Sequence, residues 1–466
     1  MVIILLLYVI LFSVMAWRNL TWAAALVIVF LPVYQIRFEI FNIIPSTLLE
    51  AMILILFIVW FIQSVQSQKI PLFTKKRIKR ARRYPFYREI IAVLIIALIA
   101  TAVAGANNSA LGLLKAYFME PVMFFIVLVN IFLDKNNRIT IFRALALSAF
   151  IVSVAAIYQK ITGDLIPVRY AGSGRVTGVF AYPNAVGLYL GPVAVFLSGW
   201  LVVKVKERGL KSLLNILCSG FVLLTIILSF LAIYFARSEG AMIGVMAAYF
   251  VFFLFYNKLS RQLAMAAVIF GVLLLGVKAD LRHDVYQKIT FKNLDGQIRT
   301  QIWKETKNML GDGNFIFGAG LANYQNKVGP YHQAGIFVRD YDDPDFQKKV
   351  LFDEEYHKNA WQPTEIYLYP HNIILNFWSE LGFFGMFIFL WLIIRYFTVS
   401  YAALKKSNAA ERGLILGLGT AMIVIVVHGL VDVPYFKNDL AVVFWLFFAM
   451  LGALYLEKFP QVNKVE

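Results

Sequence analysis

Long apolar runs are the feature of this sequence that most limits what it can fold into. A helix needs about 20 apolar residues to cross the roughly 30 Å hydrocarbon core of a bilayer. Runs of about this length recur along the 466 residues, which predicts an all-α polytopic membrane protein with about twelve or thirteen transmembrane helices. The predicted spans are 20–36, 46–66, 90–105, 113–133, 140–160, 179–203, 212–235, 238–256, 262–277, 373–397, 412–431 and 438–456.

The composition supports the same class. Only 15% of the residues are charged and 60% are hydrophobic, whereas about a quarter of the residues in a soluble domain are charged. This balance argues against a soluble enzyme, a disordered chain and a fibrous repeat. A shorter apolar run at 2–17 is separated from the next run only by Arg18 and Asn19, so the sequence leaves open whether it spans the membrane. It has neither preceding basic residues nor a following cleavage site, and we expect no cleavable signal peptide.

Lysine and arginine are unevenly distributed over the connections between the predicted spans. Three connections are rich in basic residues, while the alternate connections carry little charge: 106–112 has none. Basic residues favour the cytoplasmic side of a membrane, so the basic connections are predicted to be cytoplasmic. The net charge of +17 therefore reflects topology, and the basic run at 75–83 indicates a loop near anionic lipid rather than a nucleic-acid site. The basic connections are 67–88, 204–211 and 395–412.

One hydrophilic segment, 278–371, is far longer than the others, and we expect it outside the cytoplasm. It holds 12 Lys or Arg, 13 Asp or Glu and four of the five histidines. A connection of this length without function is uncommon, and it contains a helical pattern at 297–310, so it should fold as a small cap. The predicted organisation is an N-terminal transmembrane region at residues 1–277, this segment, a C-terminal transmembrane region at residues 372–457 and a cytoplasmic tail at residues 458–466.

The sequence lacks the residue patterns that are typical of disulfide frameworks, nucleotide or metal sites and ion paths. The single Cys218 excludes a disulfide framework. Walker A and H-E-x-x-H patterns are absent and the histidines lack metal-ligand spacing, so we expect no metal and no cofactor. Apart from Glu120 and Glu380, ionisable residues are missing from the middle of the predicted spans. Intramembrane charge is the usual mark of an ion path, so a channel or pump is disfavoured.

Polar residues cluster instead where the predicted spans meet the outer face. The planar fork of arginine binds phosphate oxygens in pairs, and a histidine near neutral pH takes a proton from a hydroxyl. Three arginines and one histidine at one depth therefore predict an anion held near a general base. The residues are Arg175 followed by Asn184, Arg237 in the turn 236–240, Arg299 followed by Trp303, and His371 followed by Asn372.

Each of these residues also has a simpler interpretation. Arg175 and Arg237 can reach lipid headgroups, and Arg299 can be a solvated helix residue. His371 can cap the helix that follows it, and Asn372 suits an N-cap in any case. His428 and Asp432, at the outer end of the next-to-last span, indicate a structural hydrogen bond between helices. The spacing alone assigns no reaction.

The order of these elements resembles the O-antigen ligase family. His371-Asn372, nine residues and then Gly382-Phe383-Phe384-Gly385 resemble its signature. The Arg-Ser-Glu-Gly turn at 237–240 is similar to its Ser-Arg-Gly-like turn, and Arg299 with Trp303 resembles the start of its large periplasmic loop. The stretch 317–324 is similar to the Gly-x-Gly-x-x-Asn-aromatic element that often follows. The resemblance covers about residues 170–440.

The resemblance implies metal-independent, inverting glycan transfer. The donor would be an undecaprenyl-pyrophosphate-linked glycan, and the acceptor a hydroxyl of a lipid A-core-like sugar at the outer face of the bacterial cytoplasmic membrane. His371 would be the general base. Arg237 and Arg299 would bind the pyrophosphate with Arg175 as a weaker helper, supported by Asn372, Asn184 and Trp303.

The implied partners are the lipid-linked donor, a glycan, glycolipid or protein acceptor, and membrane lipids, without nucleic acid. Two alternatives within the same group differ in acceptor: a polymerase of polysaccharide repeats and a protein O-glycan ligase. A polysaccharide transporter or flippase would need midplane polar groups and internal repeats, and neither is clear in the sequence. A receptor or scaffold that binds a partner through the long segment is a further alternative. The acceptor, the glycan structure and the oligomeric state stay open.

Overall fold

The computed structural model describes residues 2–40, 44–67, 85–209, 219–341, 343–409 and 411–459, and every structural statement concerns these ranges. The all-α polytopic class predicted from the sequence is confirmed. The helices of the membrane region are α1 (Val2–Arg18), α2 (Leu20–Val29), α3 (Leu48–Gln66), α4 (Tyr87–Val103), α5 (Asn108–Leu113), α6 (Glu120–Phe132), α7 (Lys135–Thr162), α8 (Val168–Ala171), α9 (Pro183–Arg208), α10 (Phe221–Phe235), α11 (Glu239–Tyr256), α12 (Lys258–Val277), α18 (Ile373–Lys405), α19 (Arg412–Gly429) and α20 (Asn438–Lys458).

The outer segment and the short elements complete the described chain. Helices α13 (Ala279–Ile289), α14 (Leu294–Gly311), α15 (Tyr324–Val328), α16 (Phe346–Phe352) and α17 (Glu354–Ala360) lie between α12 and α18. Short 3-10 turns occupy Leu31–Gln35 and Gly329–Tyr331, and a π-helical turn, Leu114–Met119, joins α5 to α6. Two small antiparallel pairs join β1 (Arg37–Ile40) to β2 (Ile44–Thr47) and β3 (Gly335–Phe337) to β4 (Trp361–Pro363).

Helices occupy every predicted span. In the described ranges, nine of them are long and apolar enough to cross a membrane, and three apolar helices are shorter. The predicted span 20–36 differs most: α2 has only ten residues and ends at Val29, a rise of about 15 Å. Pro32, within the next turn, has no N–H to continue an α-helix, so the chain turns there and enters β1. The predicted helix at 297–310 is α14, which also covers 294–296 and 311.

Two of the basic connections lie at one end of the helix bundle. Lys206 Nζ donates to the carbonyl of Ala409 (3.1 Å), and the Arg412 guanidinium donates to the carbonyl of Phe255 at the end of α11 (2.7 Å). The connections 204–211 and 395–412 therefore share one side, as the charge distribution predicts. The third basic connection, 67–88, falls largely outside the described residues, as does Cys218.

Small residues bring α9 and α19 together. A Cβ atom on Gly199 would lie 2.5 Å from the carbonyl oxygen of Gly413 and 2.6 Å from Cα of Gly417. Such close backbone contact needs glycine, and small residues are typical of helix contacts in membranes. This crossing joins the last third of α9 to the first turns of α19, at the end of the bundle with the basic connections.

The outer segment docks into a kink of α18. Gly382 has a left-handed backbone (φ +77°) inside that helix, and the Phe383 N–H donates to the carbonyl of Ile316 (3.0 Å). Gly318 (φ +67°) is so close that a Cβ there would collide with the backbone of Ser379. Both positions need glycine because the chain must turn where two backbones touch. The Gly382 element of the signature therefore joins the outer segment to the membrane region.

Candidate functional site

A buried carboxylate lies at the centre of the polar cluster at the outer end of the bundle. Asp432 belongs to the loop between α19 and α20, and its side chain is 10% exposed. Its Oδ1 lies 3.6 Å from His371 Nδ1, and its Oδ2 accepts a hydrogen bond from Asn184 Nδ2 (3.0 Å). Asp432 thus joins the start of α18 to the start of α9.

His371 occupies a turn that is fixed on both sides. The following residue, Asn372, is the N-cap of α18: its Oδ1 accepts from the N–H groups of Ile374 and Leu375, and its Nδ2 donates to Leu430 (each 3.0 Å). His371 has a left-handed backbone (φ +47°), which is uncommon for a residue with a Cβ and is found at functional sites. Its side chain remains 29% exposed, so a substrate can reach the ring.

The charge of Asp432 determines which nitrogen of the His371 ring carries the proton. Burial raises the pKa of Asp432, but the nearby rings of His371 and His428 and the Val433 N–H together hold this pKa below its ordinary value. Asp432 is therefore a carboxylate at neutral pH. A carboxylate beside Nδ1 favours the tautomer with the proton on Nδ1, which leaves Nε2 of His371 free to accept a proton.

Arg175 holds the turn that carries Arg237. Its Nε donates to the carbonyl of Ala236 (3.0 Å), and its Nη2 donates to Asn184 Oδ1 (2.9 Å) and to the Arg237 carbonyl (3.4 Å). Buried Gln159 accepts from the N–H groups of residues 177 and 178, which fixes the segment after Arg175. Arg175, which the sequence predicts to help bind the anion, therefore uses its guanidinium donors to bind other groups of the protein. Its role in this structure is to position the Arg237 turn.

Arg237 lies on a tight turn between α10 and α11. Its backbone is left-handed (φ +51°) and its side chain is exposed. The turn packs against the cluster because Gly240 leaves room for His428, which a Cβ would approach to 2.5 Å. The neighbouring Glu239 pairs with Lys288 of α13 (2.7 Å), so the Arg237 guanidinium is not neutralised by the carboxylate in its own turn.

Arg299 reaches the site from α14. Trp303, one turn along, donates from Nε1 to the carbonyl of Pro370 (2.9 Å), which ties α14 to the residue before His371. The ring of Tyr367 packs edge-on against the His371 ring at 5.0 Å. Burial raises the pKa of Tyr367, and the nearby Arg299 charge acts in the opposite direction. Arg299 is therefore within electrostatic range of the residue that packs on the base.

Two cations of this cluster are left for a ligand. In the described ranges of the chain, neither the Arg237 nor the Arg299 guanidinium forms a hydrogen bond or an ion pair with another residue. Their segments are joined to that of His371 through Arg175, Asn184 and Asp432 on one side and through Trp303 and Pro370 on the other, and an arginine that has no protein partner can bind an anion. Across the same ranges, no three His, Cys, Asp or Glu side chains are grouped so that they could hold a metal ion.

All seven site residues predicted from the sequence belong to this network or border it. The pairing of Asp432 with His371 was not predicted. The expected hydrogen bond between helices exists, but it joins Asp432 to Asn184, while Nδ1 of His428 has no partner among the described residues. The only sequence feature that could have indicated the pairing of Asp432 with His371 is that Asp432 is the single carboxylate of the connection 432–437. Tyr367 was also missed, and its sequence context gave no signal.

Comparison with known families bears directly on this site. Residues 224–390 match the family model described as O-antigen ligase. The chain carries an O-antigen ligase-like domain. The matched range contains Arg237, Arg299, Trp303, His371 and Asn372, and it ends beyond the glycines of the α18 kink. A search of curated proteins found no match.

The match supports a general activity for the domain at residues 224–390. It supports a membrane enzyme of the glycosyltransferase or ligase type that takes part in glycan transfer in lipopolysaccharide-type biosynthesis. Its substrates are, in general terms, glycans and lipid-linked molecules. The apolar helices agree with a multi-pass membrane protein.

Proposed function

We propose that this protein transfers a glycan from an undecaprenyl-pyrophosphate carrier to an acceptor hydroxyl, with inversion at the anomeric carbon and without a metal. The observation that carries the proposal is the pairing of a partly exposed histidine with a buried carboxylate, in a network that also holds the segments of two arginines without a protein partner in the described ranges. His371 and Asp432 are 3.6 Å apart, a separation that a small ring movement converts into a hydrogen bond when substrate binds.

His371 acts as the general base in this proposal. Its Nε2 takes the proton from the acceptor hydroxyl, and the oxygen attacks the anomeric carbon from the face opposite the pyrophosphate. The bond between that carbon and the phosphate oxygen breaks, and its electron pair leaves with the pyrophosphate. Asp432 is a positioning residue that holds the ring and stabilises the imidazolium formed during transfer. General-base help of this kind contributes about 10²–10⁴-fold.

Arg237 and Arg299 bind the pyrophosphate. Charge develops on the leaving group as the sugar–phosphate bond breaks, so cations placed there stabilise the transition state more than the ground state. Arg175 keeps the Arg237 turn in place through the Ala236 and Arg237 carbonyls. The sugar–pyrophosphate bond supplies the driving force, which agrees with the absence of a Walker A sequence.

The site faces the outside of the cytoplasmic membrane in this proposal. Support comes from the described parts of two basic connections, 204–211 and 395–412, which lie at the other end of the bundle and are expected in the cytoplasm. We expect a cysteine at Lys348 to react with a membrane-impermeant reagent in intact cells, and one at Ala409 to react only after permeabilisation, in a Cys218→Ser background. The reverse labelling would contradict the orientation.

The decisive test is the product of a purified reaction. Full-length protein in lipid nanodiscs would be given an undecaprenyl-pyrophosphate oligosaccharide and, separately, a core-type glycolipid, a second lipid-linked repeat and a hydroxyl-bearing peptide, without nucleotide or metal. We expect a new glycosidic bond of inverted configuration with the glycolipid. Polymer formed from two lipid-linked repeats would identify a polymerase, and transbilayer movement of the donor without a new bond would contradict an enzyme.

A further inference from the structure

The outer segment contains a polar cavity that is open to solvent, and the proposed transfer step does not use it. It lies between α13 and the stretch 339–341 and has a volume of about 380 Å³, which is within the range of small-molecule sites. Its lining combines cations, carboxylates and an aromatic ring. The residues used in this argument are Asp284, Lys288, Lys292, Arg339, Asp340 and Tyr341.

Two cations of this cavity are held by tyrosines rather than by acids. Lys292 Nζ donates to the Tyr286 hydroxyl (2.7 Å) and lies 4.5 Å from the ring centre of Tyr286 and 4.8 Å from that of Tyr341. The Arg339 guanidinium lies 4.9 Å from the Tyr341 ring on which it packs. Within the described ranges neither cation forms an ion pair with a carboxylate. A cation that packs on an aromatic ring is positioned without being neutralised, so both retain their charge for an anionic ligand.

The carboxylates of the lining restrict which anion fits. Asp284 and Asp340 share the cavity with the two cations. They would repel any anionic group that lies against them, but they can accept hydrogen bonds from hydroxyl groups. A neutral sugar would leave the cations without a partner. A sugar ring that carries both hydroxyl groups and a carboxylate satisfies both kinds of side chain.

The cavity is tied to both arginines of the proposed pyrophosphate site. Lys288 on its rim pairs with Glu239, two positions after Arg237. Gln297, two positions before Arg299, accepts from the Arg339 N–H (2.9 Å) and donates to the Arg339 carbonyl (3.0 Å). The cavity is therefore fixed to the two segments that carry these arginines, and the sugars of a donor glycan extend from the pyrophosphate that the arginines would bind.

From this placement we propose that the cavity binds a carboxylate-bearing sugar of the donor glycan. The proposal rests on the proposed function for the identity of the chain that carries this sugar. Lys292 and Arg339 bind the carboxylate, and Asp284 and Asp340 bind ring hydroxyls. The cavity thereby makes the enzyme selective for acidic glycans.

Binding of free oligosaccharides tests the site without any transfer. The probes are a uronate-containing oligosaccharide and the same oligosaccharide after reduction of its carboxyl group, each measured against full-length protein in nanodiscs. One charged hydrogen bond contributes about 1.5–3 kcal/mol, so we expect the acidic form to bind at least about tenfold more tightly. Lys292→Gln and Arg339→Gln should each reduce this preference to about twofold. Lys307→Gln, on an exposed lysine of α14, is the matched control and should leave it unchanged.

Transfer reactions then show whether the acidic sugar must belong to the donor or to the acceptor. A donor with an acidic glycan and a neutral acceptor should lose rate in the Lys292 and Arg339 variants, whereas a neutral donor should be transferred at the wild-type rate. Dependence on an acidic acceptor instead, equal binding of the two oligosaccharides by wild type, or equal competition by inorganic phosphate would each overturn the proposal. If the protein transfers no pyrophosphate-linked glycan but still binds the acidic oligosaccharide more tightly than the reduced one, the proposed function is wrong. The proposed sugar site would then be retained.

Discussion

The two arginines proposed to bind the donor differ from several cations at the opposite end of the helix bundle in how they are paired. At the end with the basic connections, cations are matched by carboxylates: Arg138 and Lys135 both pair with Glu457, and Arg395 pairs with Glu89 (3.0 Å). At the other end, Arg237 and Arg299 have no such partner among the described residues, and Arg237 and His371 both have left-handed backbones.

This difference separates stabilising charges from functional ones. A cation that is paired inside the protein contributes to the fold, whereas a solvent-accessible cation without a protein partner can bind an anionic ligand. Substitutions at the two ends should therefore have different consequences: loss of stability at the basic end, and loss of transfer with a normal fold at the outer end.

The largest expected effect is at His371. His371→Ala removes the proton acceptor, so single-turnover glycan transfer should fall by about 10²-fold or more while donor binding persists. His357→Ala is the control, because His357 lies in the same outer segment and its Nδ1 is bound to the Val350 carbonyl (2.8 Å). Transfer by His371→Ala at close to the wild-type rate would reduce this residue to a helix cap.

The arginines provide the most direct comparison of the two ends. Arg237→Ala or Arg299→Ala should lower kcat/KM for the lipid-linked donor by about 10- to 100-fold, since each loses charged hydrogen bonds of about 1.5–3 kcal/mol. Lysine at either position should restore activity only partially, because it lacks the fork. Arg138→Ala, at the basic end, should lower thermal stability with little change in kcat/KM. Equal activity of all these variants would remove the distinction between the two ends.

The next prediction concerns the charge of Asp432 and the pH range over which Asp432 stays ionised. Asp432→Asn should lower transfer about tenfold or more without loss of donor binding, because it removes the charge that orients the His371 ring. A carboxyl with a lowered pKa in the fold stabilises the protein at pH values above its unfolded pKa, and that contribution is lost only as the pH falls through the lower folded value. Asp432 therefore stays ionised between about pH 5 and pH 8, and its contribution to stability should be constant over this range. A loss of thermal stability between pH 8 and pH 5 that is absent from Asp432→Asn would contradict the lowered pKa of Asp432.

The smallest effect should come from Arg175. Because its donors are bound to Ala236, Asn184 and Arg237, Arg175→Lys should weaken the Arg237 turn and lower kcat by about 2- to 10-fold. KM for the donor should change less than in Arg237→Ala. A KM increase as large as that of Arg237→Ala would mean that Arg175 binds the pyrophosphate itself, as the family resemblance implies.

Local patterns in the sequence were sufficient for most of the secondary structure. Each predicted span contains a helix, and α14 covers the predicted helix at 297–310, because apolar runs and helical periodicity are properties of short segments. The span at 20–36 was wrong in length because Pro32 interrupts it. The site residues were chosen by residue type and motif, and the structure brings their segments together, but it gives Arg175 protein partners that no motif indicated.

The sequence alone does not predict which apolar helices are buried inside the protein and which are exposed. Helices α12 and α20 have similar lengths, 20 and 21 residues, and similar mean hydropathies, 1.8 and 2.1, yet the apolar window of α12 is 6% buried and that of α20 is 94% buried. Lipid and protein interior are both apolar, so a composition that suits one suits the other. The membrane class was thus determined by the sequence itself, since transfer into an apolar phase adds up residue by residue. Which helix became the centre, and which carboxylate met His371, was decided only by the tertiary structure, because those contacts depend on which faces of distant segments meet.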